Sequence, residues 1–206
     1  FVGATKASVV DATGKSYEVE AIMGADELYD VAKFRIKANT TAATIAAKET
    51  EAGQKVWLVP YSIKKSPFQQ ENITSVEKFQ TSYNYYIFTT TVPENAVGCP
   101  FVDKNGQVIG LMHSNGQTTA IDANYARQLK VTGLSSLDAA LRETAIRTAL
   151  PDTEQEAMTM MTLKKGQLKM EEYAKYSDEF IEKFPTSAYG YKEKAMDLVN
   201  ADKYEE

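Results

Sequence analysis

The chain has 206 residues, enough for one sizeable domain or two small ones, and its 43% hydrophobic and 25% charged residues are the balance of a globular chain. Its net charge is −5 and its 23 basic residues are scattered, so the electrostatic footprint of a nucleic-acid binder is absent. One cysteine excludes an internal disulfide framework, one cysteine and one histidine argue against a zinc site, and no cofactor is expected. No apolar run approaches the roughly 18 residues needed to cross a bilayer, no signal-peptide pattern opens the chain, and Phe1-Val2-Gly3 without an initiator Met reads as a processed or trimmed product.

Residues 1–134 read as β structure. Ala7 to Val10 alternates, Asp11-Ala12-Thr13-Gly14 supplies turn chemistry, and Ser16 to Ile22 alternates again, which is a hairpin signature. Strands follow at Val31–Ile36, Val56–Val59, Ile73–Phe79, Tyr83–Thr90 and Pro100–Val102, and Asp103-Lys104-Asn105-Gly106 turns the last of these into Val108–Met112. Short strands at this spacing suggest a sandwich or barrel. Beyond Gly133 the period changes to helical. A run from Ser135 to Leu150 stops at Pro151, and Asp152 with Gln155 has the spacing of a capping box for a helix through Leu163. Two more helices are predicted from about Met170 to Phe184 and from about Ala188 to Asn200, joined by a short connection that favours antiparallel packing.

The segment Val97-Gly98-Cys99-Pro100-Phe101-Val102-Asp103-Lys104-Asn105-Gly106-Gln107-Val108-Ile109-Gly110-Leu111 resembles the nucleophile region of trypsin-like peptidases, above all the bacterial HtrA-type branch, where Gly-Asn-Ser-Gly-Gly-Pro-Leu precedes a hairpin and Gly-Val-Ile-Gly-Ile. Gly53 to Tyr61 resembles the strand that opens that family's second barrel, Asn72 to Val76 its next strand, Asp30 to Ile36 the stretch carrying the triad aspartate, and Thr119 to Ala123 the closing strand. The resemblance implies a trypsin-like β-barrel, incomplete at its N-terminus, with its later strands in residues 1–134 and a cleft between two barrels.

That family's chemistry needs a serine, an imidazole to take its proton, a carboxylate to orient the imidazole, and backbone N–H groups for the oxyanion. In register the nucleophile position is Val97, which has no lone pair with which to attack a carbonyl, and Gly98 follows it. The oxyanion donors would be the N–H groups of Asn95 and Val97. The family base would stand about two residues upstream of Phe1. Asp30 fits the triad aspartate position as a vestige. His113, the only histidine, falls where the family packs a residue against that aspartate, so the register makes Asp30 and His113 neighbours, and His113 and Ser114 join Asn95, Val97 and Gly98 as peptide-binding candidates. Cys99 reads as a small buried thiol.

The stretch from Tyr173 through Pro185, Tyr191 and Ala195 to Asp202-Lys203-Tyr204-Glu205-Glu206 resembles the end of one tetratricopeptide repeat and the start of the next, with the aromatic Tyr191 filling the gap between helices that small residues bring close. The expected organisation is barrel strands in 1–134, a helical linker in 135–165 and the start of an all-α tetratricopeptide-like segment in 166–206. A pseudo-peptidase that binds a peptide or protein partner and is exported, for example to the periplasm, fits these residues. An active serine endopeptidase whose histidine and early strands lie upstream, and a barrel that only scaffolds the helices, are the alternatives. The Tyr83-Asn84-Tyr85-Tyr86 cluster reads as ordinary strand aromatics.

Overall fold

A computed structural model describes residues 1–61, 68–91, 96–114 and 116–201. Its strands are β1 (Ser8–Val10), β2 (Ser16–Asp26), β3 (Val31–Ile36), β4 (Lys55–Leu58), β5 (Gln69–Asn72), β6 (Ser75–Phe79), β7 (Tyr83–Ile87), β8 (Pro100–Val102), β9 (Val108–Ser114) and β10 (Thr118–Asp122). Helices α1 (Ala123–Gln128), α2 (Ala139–Arg142), α3 (Glu154–Lys164), α4 (Met170–Lys183) and α5 (Ala188–Asn200) follow. The chain divides into two units, one of Ser8–Glu20 with Ala25–Leu129, the other of Phe1–Ala7, Ala21–Gly24 and Lys130–Glu206.

Two hairpins of the first unit close on the same five-residue device. Asp11 Oδ1 accepts from the N–H groups of Thr13 (2.8 Å) and Lys15 (3.0 Å). Asp103 Oδ1 accepts from those of Asn105 and Gln107, both at 2.8 Å. Gly14 and Gly106 sit at positive φ (87° and 75°) three residues after the aspartate, where a Cβ would be strained. An acid that accepts from its own turn fixes the hairpin locally.

Seven antiparallel strands form one sheet in the order β5-β4-β8-β9-β10-β7-β6. Its two edges, β5 and β6, are consecutive in the chain with only Ile73 and Thr74 between them. A flat sheet of this size is about 29 Å across, whereas the three Cα steps from Asn72 to Ser75 reach about 11 Å. The sheet therefore curls until its edges meet. Gly53 N–H donates to Ile73 O (2.7 Å), Ile73 N–H to Gln54 O (3.0 Å) and Thr74 N–H to Ile87 O (2.8 Å), fastening that corner. Val56, Leu58, Ile73, Phe88, Phe101 and Ile109 fill the interior, with Phe88 stacked on Phe101 at 4.4 Å. Strand β5 was not foreseen because Gln69-Gln70-Glu71-Asn72 is wholly polar. Glu71 is nonetheless buried, and Gln69 Nε2 (2.7 Å) and the Thr90 hydroxyl both donate to its carboxylate. Strands β1, β2 and β3 form a separate small sheet. Tyr29, just before β3, packs on Phe79 of β6 (4.6 Å) and on Tyr125 of α1 (5.7 Å).

In the second unit the helix expected up to Leu150 is one turn long. After a 3-10 turn at Ser135–Leu137 and α2, the chain extends, and Thr148 bridges Ile22 in parallel: Ile22 N–H donates to Arg147 O and Ala149 N–H to Ile22 O, both at 2.8 Å. The alternating β-branched Thr144, Ile146 and Thr148 favour that conformation. Helix α3 starts one residue later than predicted. Thr153 caps it, accepting from Glu156 N–H at 3.4 Å, while Asp152 pairs with Lys183 at 3.0 Å. Helices α4 and α5 lie where the periodicity put them, with Phe180 fully buried. Tyr189, not Tyr191, packs on Phe180 (5.2 Å). Tyr191 is 51% exposed, so the predicted gap-filler lies on the outer face. Residues 202–206, part of the repeat-like stretch, lie outside the described residues.

The hydroxyl of Thr13, with the turn's N–H groups, lowers the Asp11 carboxyl to about 2. A depressed carboxyl contributes stability that is whole above the ordinary aspartate value near 4 and is lost as the pH falls from about 4 to about 2. Carbon-13 titration of Asp11 should show its midpoint near 2, and a midpoint near 4 would remove this account of the turn. A Cβ on Gly190 would lie 2.8 Å from Phe180 Cδ1 and 2.9 Å from Ile181 Cγ1. Alanine gains about 1 kcal/mol in helix propensity but overpacks this crossing by about 1–3 kcal/mol. Gly190→Ala should therefore lower the urea midpoint, by about 1 kcal/mol of stability at unchanged slope, and a raised midpoint would refute the close approach.

Candidate functional site

The turn before β8 is set by backbone bonds. Gly98 N–H donates to Met112 O (2.8 Å), Met112 N–H to Cys99 O (2.8 Å), and Cys99 N–H to Ala96 O (2.9 Å). Gly98 has φ of 81°, a conformation suited to glycine. Ala96 and Cys99 point inward and are buried, and between them Val97 is 40% exposed. The tight turn thus holds the side chain of Val97 out to solvent. The N–H groups of Gly98 and Cys99 are spent inside the fold, whereas that of Val97 has no acceptor among the described residues. Asn95, the second expected oxyanion donor, lies outside the described residues. Cys99 is 6% exposed and its sulfur accepts from Tyr61 N–H at 3.3 Å.

Strand β9 outlasts its neighbour β8. The pairing ends at Pro100 with Leu111, and Met112 sends both its N–H and its C=O towards Cys99 and Gly98. In an antiparallel ladder bonding direction alternates along the strand, so the N–H and C=O of Ser114 face the same side. Its other side is taken by β10, through Thr118 opposite Ser114 and Thr119 opposite His113. Among the described residues no strand covers the β8 side of Ser114, and its side chain is exposed.

His113 does not meet Asp30. The Tyr85 hydroxyl lies 3.1 Å from His113 Nδ1 and Thr119 Oγ1 lies 3.3 Å from it. Thr119 in turn accepts from Tyr85 (2.9 Å) and donates to His113 O (2.9 Å). Nδ1 is held by hydroxyls where a catalytic imidazole would face a carboxylate. Asp30 is an exposed turn residue at φ 47° whose N–H donates to Glu27 O (3.3 Å), and no hydrogen bond joins it to His113. The aspartate fixed inside this region is Asp26, which sequence reasoning passed over. It accepts from Tyr29 N–H (3.1 Å) and from the Tyr125 hydroxyl. Burial, followed by that aspartate, pushes Tyr125 up to about 12. The signal for Asp26 was its place three residues before an amide at a strand end, a turn-forming arrangement.

No protein-family model matches the chain, and no curated protein matches it. Among solved structures it is similar to the HtrA-type protease AlgW with decapeptide, at 19% identity and a TM-score of 0.50 over 61% of this chain. It is also similar to the inactive form of the Rv3671c protease, at 18% identity and a TM-score of 0.45 over 61% of this chain and 69% of that one. The chain spans 43% of the length of the HtrA-type structure. The first likeness shows the fold: the antiparallel sheets and curled barrel are those of trypsin-like proteases. Among the described residues no helix is long and apolar enough to cross a membrane.

The burial of Cys99 and its bond from Tyr61 keep the thiol out of reach of reagents. The native protein should leave a disulfide reagent such as Ellman's unreacted for as long as it stays folded and consume one equivalent in denaturant. Rapid stoichiometric reaction of the native form would show an accessible thiol and overturn its burial.

Proposed function

We propose that this chain is a catalytically silent trypsin-like module that takes an extended peptide or protein segment along the open side of β9, joined to tetratricopeptide-like helices that take part in the same recognition. The exposed Val97, at the apex of a turn whose glycine and inward bonds are intact, carries this reading. The scaffold that presents a nucleophile is there without the nucleophile, and the one imidazole of the sequence is engaged with Tyr85 and Thr119. Strand addition needs only backbone donors and acceptors, which Ser114 offers on its uncovered side and Val97 N–H extends towards the turn. Asn95, Gly98, His113 and Ser114 would shape this groove, Gly98 by holding the turn and His113 by standing beside the edge. The likeness to a protease solved with a decapeptide supports an extended ligand.

The helical half of this reading rests on α5, where Tyr191, Ala195 and Val199 recur at four-residue intervals on the exposed side. An apolar stripe of this kind is what the next helix of a repeat array covers. An exported or periplasmic location belongs to the same proposal, on the strength of the HtrA-type likeness.

The test has two arms. A fluorophosphonate probe at concentrations that saturate trypsin should leave the chain unlabelled, because Val97 offers the probe no hydroxyl. A labelled serine located by mass spectrometry would make the protein a peptidase. Decapeptides selected from a random library should slow amide exchange at Ser114 and bind Ser114→Pro about tenfold more weakly, since proline removes an edge donor that pairs with no strand among the described residues. Equal binding to that variant would remove the groove.

A further inference from the structure

Within the second unit, the extended stretch before Leu150 and helices α3 and α4 line an open cavity of about 290 Å³. Leu141 and Ile146, both buried, supply apolar wall, and the ring of Tyr176 supplies a flat face. Three cations line the same space: Arg147, Lys164 and Lys175.

Two of these cations share one ring. The Arg147 guanidinium is 5.1 Å from the centroid of Tyr176, and the Lys164 ammonium is 5.4 Å from it. Arg147 has a counter-charge in Glu179, which also accepts from Leu150 N–H at 3.4 Å, so that carboxylate is already committed. Lys164 forms no ion pair and no side-chain hydrogen bond among the described residues, although it is half-buried. Burial pushes its amine down, and the charge of Arg147 pushes it the same way. Glu172 is the one acid among the lining residues described, and it stands exposed on α4. An ammonium withdrawn from water beside a second cation is a costly arrangement unless an anion completes it. The apolar wall beside the cations says what kind of anion.

We infer that this cavity binds a small organic carboxylate, with the carboxylate between Lys164 and Arg147 and an apolar body against Leu141, Ile146 and the Tyr176 ring. The site is separate from the β9 edge and does not depend on how the barrel is read. The carboxylate has two possible sources, a free acid or the terminus of a peptide, and both present the same head group.

Hexanoate added to the intact chain should saturably shift the amide resonances of Arg147, Lys164 and Tyr176, while hexanol at the same concentration leaves them in place. Lys164→Met should weaken hexanoate binding about tenfold or more with a urea midpoint equal to or above that of the parent, because it removes an unpaired charge. As a measurement that needs no variant, hexanoate should slow acetylation of Lys164 by acetic anhydride relative to the exposed lysines. A tetrapeptide ending in leucine that displaces hexanoate, where its amidated form does not, assigns the carboxylate to a chain terminus. Failure of both peptides to displace it assigns a free acid, and either result upholds the site. Equal shifts with hexanol, no saturable shift with hexanoate, or a Lys164→Met variant that binds within twofold of the parent would overturn it.

Discussion

The two-residue connection at Ile73 and Thr74 governs the architecture of the first unit. It ties the first and last strands of a seven-stranded order together, so the sheet has no flat solution, and the alternate side chains of six different strands are driven into one interior. Closure puts Gly53 and Gln54 against Ile73, and burial of that isoleucine keeps the corner shut. Everything proposed for function on this unit sits on strands whose places follow from that closure. The turn at Ala96–Cys99 is pinned by Met112, and Met112 is fixed because β9 is an interior strand of the curled sheet.

Catalysis and binding are separable on such a frame. Proton transfer requires particular side-chain atoms within hydrogen-bond reach of one another. Here Val97 carries no such atom, and His113 Nδ1 lies within reach of the Tyr85 and Thr119 hydroxyls. Peptide docking on a strand edge requires main-chain groups, which any sequence supplies as long as the backbone keeps its course. The glycine conformation at Gly98 and the pairing of β9 with β10 are backbone features of that second kind.

How much was legible in the sequence divides along the same line. Features encoded by near neighbours were readable: the Asp-x-x-Gly turns, the bounds of β3 and β8, and the α4 and α5 helices. Features that depend on distant partners were not. Strand β5 looked like a loop because the donors that satisfy Glu71 include Thr90, far along the chain. Residues 144–150 looked helical because their partner is Ile22. His113 was matched to an aspartate by register, whereas its real neighbours arrive from β7 and β10 through cross-strand pairing, which periodicity alone cannot report. The Lys164 cavity had no sequence signature, since its cations come from an extended stretch and two helices.

The bridge between Ile22 and Thr148 sets an order of events during synthesis. The middle of β2 leaves the ribosome early, but its hydrogen-bonding partners Arg147 and Ala149 are added about 125 residues later, which at ordinary translation speeds is a delay of roughly ten seconds. For that interval the N–H and C=O of Ile22 lack the partners that Arg147 and Ala149 later provide. The nascent chain thus carries a strand segment, fully buried at Ala21 and Ile22 in the finished protein, whose last backbone bonds wait on residues 147–149.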